Sequence, residues 1–164
     1  MYNVTLTFTI TSMMEFVDWA SSAIKEKSVM AVMLRDLILT PEHFEEIKNW
    51  DGDRNSLSKM ALNHPILVAD MLQQDNKNWV SSEIIQIIQQ HHERPHGTGF
   101  PAGTKHLQIS QLSAIHIVAD VFTDKLIQSE FNFKEKDKIL SEIENNFYVG
   151  TFRKAVDALR DMFG

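Results

Sequence analysis

The chain has 164 residues, 43% hydrophobic and 23% charged, with a formal net charge of −6; that balance suits one domain with its own apolar core and argues against disorder. Basic residues are scattered rather than striped, which argues against a nucleic-acid polymer as partner, and the absence of cysteine excludes disulfides, thiol catalysis and zinc–thiolate sites. No apolar run approaches the roughly 20 residues that span a bilayer and no signal peptide is visible, so a cytoplasmic protein is expected, whole or cut from a longer parent.

In chain order, "MYNVTLTFTIT" alternates Tyr2, Val4, Leu6, Phe8 and Ile10 with polar residues. This period of two predicts a strand over residues 1–11. Such a strand would pair with a second copy, giving a homodimer, or with a neighbouring domain; an ordered arm packed on helices is the alternative. Residues 12–164 read as helices. Ser12 and Glu15 form a capping box that opens a helical region running through Val29 to Leu39. Thr40-Pro41 restarts a helix, and the turn "NWDGDRNS" ends with Ser56 as the next cap. A helix over about Leu57 to Leu72 carries His64, and one opened by Ser81 or Ser82 ends near His91 and His92. Pro95 and the glycines at 97, 99 and 103 make a loop. Ile109 to Ile127 is a long apolar helix, followed by a charged amphipathic helix to about Asn145. A last helix carries Phe152, Ala155, Val156, Leu159 and Phe163 as one stripe. The expected fold is all-α: one helical bundle-like domain with a short N-terminal strand. For Trp19, Trp50 and Trp79, a core or boundary position is expected.

Polar residues inside this apolar pattern mark the candidate site. Asp36 lies within "AVMLRDLIL" and Asp120 within "IHIVADVF", where a carboxylate is costly to bury unless something positive holds it. His64 faces the core side of its helix, and His91 and His92 end the next one. Three imidazoles and two carboxylates near helix contacts suit iron, manganese or zinc, built as in helical bundles from facing helices. The competing readings are a satisfied core histidine for His64 and an ion pair of Asp36 with its neighbour Arg35.

The stretch "HHERPHGTGFPAG", His91 to Gly103, closely resembles the signature loop of HD-GYP domains, a branch of the HD metal-dependent phosphohydrolases, which reads roughly HHERxDGxGYPxG. The resemblance extends to "NHPILVADML", "ISQLSAIHIVADVF", "AVMLRDLIL" and "FYVGTFRKAVDALRDMF", from about residue 29 to the C-terminus. It implies an HD-type helical fold and hydrolysis of cyclic di-GMP at a phosphodiester by two or three metals, often iron. It also implies Asp36 as the bridging carboxylate, with His64, His91 and His92 holding one metal. Asp120 would help hold the other, and Gly99, Phe100 and Pro101 would form the loop beside the substrate.

The departures from that pattern fall on one side of the site. Arg35 stands where the family has histidine, Leu39 where it has a phosphate-contacting lysine, and no histidine precedes His43. His96 and Phe100 replace an aspartate and a tyrosine, and "SEFN" at Ser129 to Asn132 replaces an arginine-containing segment. A guanidinium at Arg35 can take the charge position of the first metal and bond Asp36, Asp120 or both, because it stays protonated. One divalent metal on Asp36, His64, His91 and His92, or none, is expected, and no catalytic residue is assigned. These losses imply a degenerate domain of cyclic-dinucleotide signalling with weak or no hydrolysis, acting by nucleotide sensing or contact with a signalling protein. An active phosphodiesterase and a purely structural dimerising domain are the alternatives.

Overall fold

A computed structural model describes residues 1–74 and 80–163, in which eight α-helices carry the fold. These are α1 (Tyr2–Met13), α2 (Ser22–Leu34), α3 (Pro41–Lys48), α4 (Lys59–Gln74), α5 (Ser82–Gln90), α6 (Gln111–Gln128), α7 (Lys136–Phe147) and α8 (Arg153–Asp161). The centre is α6: twelve of its eighteen residues are buried, so its surroundings must be helix on most sides. Helices α1, α5, α7 and α8 pack on it, α2 packs on α1 and α5, and α4 on α5 and α3. Ser110 caps α6 by accepting the Ser113 N–H at 3.0 Å. No helix among the described residues is long and apolar enough to cross a membrane.

The expected N-terminal strand is corrected: residues 2–13 form helix α1, and no strand occurs among the described residues. Tyr2, Leu6 and Ile10 satisfy period two and period four alike, and Thr9 and Met13 complete a helical stripe. Leu6, Thr9, Ile10 and Met13 are buried while Val4 and Phe8 face outward, which a strand register would not allow. Thr9 and Thr11 settle into the helix by donating their hydroxyls to the carbonyls of Thr5 and Thr7, at 3.0 and 2.9 Å. Packing against α6 thus overrides the β preference of the threonines. The strand-mediated homodimer loses its basis with the strand, and the boundary placed at residues 11/12 falls inside α1.

Helix starts differ in detail. Ser12 lies in the last turn of α1, and α2 is capped instead by Ser21, which accepts the Ile24 N–H at 3.4 Å. Ser58 rather than Ser56 caps α4, accepting the Ala61 N–H at 3.1 Å. Thr40 opens α3 as expected, with the His43 ring accepting the Thr40 N–H at 3.2 Å. Trp19 packs half-buried on the main core and Trp50 on a small second cluster with Leu57, Ala61 and Phe100. Trp79 lies outside the described residues.

Candidate metal centre

Four side chains from three segments meet where α2, α4 and α5 converge. Asp36 follows the end of α2, His64 sits mid-way along α4, and His91 and His92 follow the last residue of α5. Each offers a ligand atom, and all four atoms lie within 4.8 Å of one another. His64 Nε2 and His91 Nε2 are 3.2 Å apart, and Asp36 Oδ1 lies 3.3 and 3.4 Å from them.

The sequence fixes the orientation of both rings. Pro65 has no N–H, so the Ala61 carbonyl, its would-be partner four residues back, is left free inside α4. The His64 ring takes that carbonyl, with Nδ1 2.7 Å from Ala61 O. At the end of α5 the last carbonyls are likewise without helical partners, and His91 Nδ1 sits 2.6 Å from Ile88 O. A carbonyl only accepts, so each Nδ1 carries a proton, and in the neutral form of each ring Nε2 turns a bare lone pair inward. Two lone pairs and a carboxylate oxygen therefore face one another with no donor between them. His92 adds a buried Nε2 that has no partner.

Such a set of acceptors, fully withdrawn from water in His64 and His91, calls for a proton or a cation at its centre. Burial pushes the pKa of His91 down and that of His92 well down, which disfavours the proton. The donor set, imidazole with one carboxylate, suits a divalent ion of the iron, manganese or zinc type. Asp36, His64, His91 and His92 fit such an ion.

The other half of the site is built around Arg35, which is 3% exposed. Its Nε bonds Asp36 Oδ2 at 3.1 Å and its Nη2 reaches Asp120 Oδ1 at 2.7 Å, so one guanidinium spans both carboxylates. Burial works to raise the Asp36 pKa, but the Arg35 charge and the contacts with His64 and His91 together outweigh it and hold the carboxyl well below the usual range. Burial likewise opposes the charge on Arg35, and Asp120 and Asp36 overcome it, keeping the guanidinium more firmly protonated than a free arginine. Tyr2, from α1, donates its hydroxyl to Asp120 Oδ1 at 3.0 Å. Asp120 thus lies on Arg35 and Tyr2, outside the cluster of four ligand atoms.

The glycine loop lies against the histidines and is turned inward. Gly99 is buried, and a Cβ there would collide with the His92 carbonyl and the Arg94 nitrogen, so the backbone approach requires glycine. That approach lets the Phe100 N–H reach His92 O at 3.1 Å. The Phe100 ring, 1% exposed, stacks on His92 with centroids 4.4 Å apart and planes at 24°. Trp50 closes on the far side of Phe100, edge-on at 5.0 Å. Pro101 is only partly buried.

Sequence reasoning missed three of these residues. Glu93 is buried and ties the loop down, accepting the N–H groups of Ala102 and Thr104 at 2.9 and 2.8 Å. An acid directly after the histidine pair was its only signal. Tyr2 was hidden by the strand reading, and nothing local marked Trp50 as a neighbour of the loop.

Comparison with known proteins identifies the family. Over 84 residues the chain is 32% identical to a cyclic di-GMP phosphodiesterase of Pseudomonas aeruginosa, an alignment covering 49% of this chain and 20% of that protein. In fold it is similar to an HDG"Y"P protein of Bdellovibrio bacteriovorus, with a TM-score of 0.65 at 23% identity. That match covers 99% of this chain and 51% of the other, so the chain spans about half its length. The family model of the HD domain matches residues 20–142, from just before α2 to late in α7, and the protein belongs to the HD-domain family.

Proposed function

We propose that this protein is a non-hydrolytic HD-GYP-type domain of cyclic-dinucleotide signalling, holding one divalent ion on Asp36, His64, His91 and His92. The carrying observation is the position of Arg35, bonded to both Asp36 and Asp120. A bridging carboxylate must offer one oxygen to each of two metals; here Oδ2 of Asp36 is occupied by a guanidinium and Oδ1 of Asp120 by a guanidinium and a phenol.

In a metal phosphodiesterase, bound ions polarise the phosphate and lower the pKa of the attacking water. Arg35 neutralises the carboxylates but has no ligand position for a water and cannot be deprotonated, so it supplies neither effect. With Leu39 in place of a lysine and Ser129 to Asn132 in place of an arginine segment, cationic donors for a transition-state phosphate are also missing. Phe100, stacked on His92 and covered by Trp50, takes up space beside the ligands that a substrate would need. What these residues keep is a rigid loop and an ordered ion site, the parts of a domain that binds a nucleotide or a protein without turning it over. Cyclic di-GMP is the nucleotide proposed from the resemblance to a phosphodiesterase of that substrate.

A one-metal hydrolase is the competing reading, favoured by the intact set of four ligands. One experiment separates the two: purified protein is given ferrous iron or manganese and cyclic di-GMP, and turnover, binding and metal content are followed together. The proposal expects at most one firmly bound ion per chain and no turnover. Turnover abolished by His91→Ala, or two firmly bound ions, refutes it. If cyclic di-GMP binds without hydrolysis the domain is a sensor; if it does not bind, the signalling role rests on a protein contact.

A further inference from the structure

The outer sides of α1 and α2 are apolar and free of charge, and we infer that a second copy of this chain packs there, giving a two-fold homodimer held helix against helix. The pairing stands apart from the metal centre and from the question of hydrolysis.

Charge is the first observation. Residues 1–14 and 28–40, which contain α1 and half of α2, include two charged residues in a chain that is 23% charged overall. These are Arg35 and Asp36, which bond each other, with Arg35 buried. Left outside are Val4 and Phe8, four apart on α1, and Met30, Met33 and Leu37, three and four apart along α2 and just past its end. The two helices pack on each other, and the Lys25–Glu15 ion pair joins them at their connecting end as a polar rim.

Area is the second. Val4 and Phe8 are 74 and 68% exposed, and Met33, Leu37 and Met30 are 63, 57 and 39% exposed. Side chains of this size leave on the order of 500 Å² of apolar surface per copy, at the upper end of what a monomer ordinarily shows to water. The threonines and backbone between them bring the face towards the roughly 800 Å² per partner of a stable interface. Those threonines tolerate burial. The Thr5 and Thr11 hydroxyls already donate to the carbonyls of Met1 and Thr7, at 3.3 and 2.9 Å, so covering them strands no donor.

The occupant follows from the missing charge. A nucleic acid, an anionic lipid or a charged peptide would find no opposite charge here to bind. Two copies of net charge −6 repel where acidic surfaces meet, and a neutral face lets them approach without that penalty. A second copy also brings the same apolar stripes, as a two-fold interface requires. Tyr2 of α1 bonds Asp120, and Arg35 ends α2, so pairing would stiffen the two helices that carry these residues.

Sedimentation velocity on the full chain tests this across about 1–100 µM, the weak end of the range for interfaces of this size. The expected species has twice the chain mass of 18.9 kDa, with a Kd that does not rise on adding salt. Phe8→Glu and Met33→Glu each enter the face twice per dimer and should weaken it at least about a hundredfold. Both positions are exposed in the single chain, so circular dichroism should match wild type. Should a glutamate variant unfold, Phe8→Ser and Met33→Ser decide, with a loss of about tenfold or more expected. Lys154→Glu, on the exposed side of α8, should leave the dimer unchanged. A monomer throughout the concentration range overturns the inference. So does a dimer that survives substitution at Phe8 or Met33, or one whose Kd rises steeply with salt, since ion pairs elsewhere would then hold it.

Discussion

Replacing Arg35 with methionine tests the electrostatic core of this reading. The guanidinium is 3% exposed and touches Asp36 at 3.1 Å and Asp120 at 2.7 Å, so its removal strands two carboxylates in a low-dielectric interior. Removing one member of such a buried pair costs about 3–5 kcal/mol, because the remaining charge loses its partner without regaining water. Adding Asp120→Asn should return part of that loss: the double variant should be more stable than the sum of the single effects by about 1–3 kcal/mol. Urea unfolding in the presence of chelator is the assay, since an ion on Asp36 would stand in for the missing charge. The pH dependence has a definite sign. The Asp36 pKa is depressed in the fold, so its stabilisation is full above the unfolded value of about 3.9 and fades as pH falls through the folded value. The penalty of the arginine variant should therefore shrink in acid. A cost below about 1 kcal/mol, or single effects that add within about 0.5 kcal/mol, would refute the ion-pair account.

Two further predictions concern residues behind this pair. His116 is fully buried on α6 with both ring nitrogens unpartnered, and burial, followed by the nearby Arg35 charge, pushes its pKa down to about 3. Because the folded value lies below the unfolded one of about 6.5, stability is full above that pH and declines below it. Between pH 7.5 and pH 5 this group alone should cost about 2 kcal/mol, and His116→Leu should remove that part of the acid sensitivity; stability–pH curves parallel to wild type would count against it. Tyr2→Phe deletes the hydroxyl that Asp120 accepts at 3.0 Å and should cost about 1–3 kcal/mol. Calorimetry that leaves Tm unmoved would show that α1 contributes nothing to this end of the site.

Much of the site was legible because its signals were local. A carboxylate inside an apolar run, a histidine before a proline and a histidine pair before a glycine loop each need a physical excuse, and the fold supplies one for each. His64-Pro65 is the clearest case, since the proline that removes an N–H creates the acceptor that orients the ring. The helices were legible for the same reason, from caps such as Thr40, Ser81 and Ser110 and from stripes at period 3.6. The N-terminus was not, because a five-residue alternation shares every second member with a helical stripe and only tertiary contact chooses between them. Tyr2 was lost with it: its partner is 118 residues away, and no local pattern encodes that distance. Trp50 and Phe100 meet for similarly non-local reasons.

The proposed function has a structural corollary: an arginine in a metal's place would let the domain give up chemistry and keep its fold. The two halves of the polar interior share one carboxylate and bind different elements. On one side Asp36 Oδ1 faces His64 and His91 where α2, α4 and α5 converge, at 3.3 and 3.4 Å. On the other, Asp36 Oδ2 and Asp120 clasp Arg35, and Tyr2 adds α1, linking α1, α2 and α6. Under the proposed function, the guanidinium makes the cross-link between α2 and α6 that a metal would otherwise make, and it cannot carry the activated water that a metal would supply.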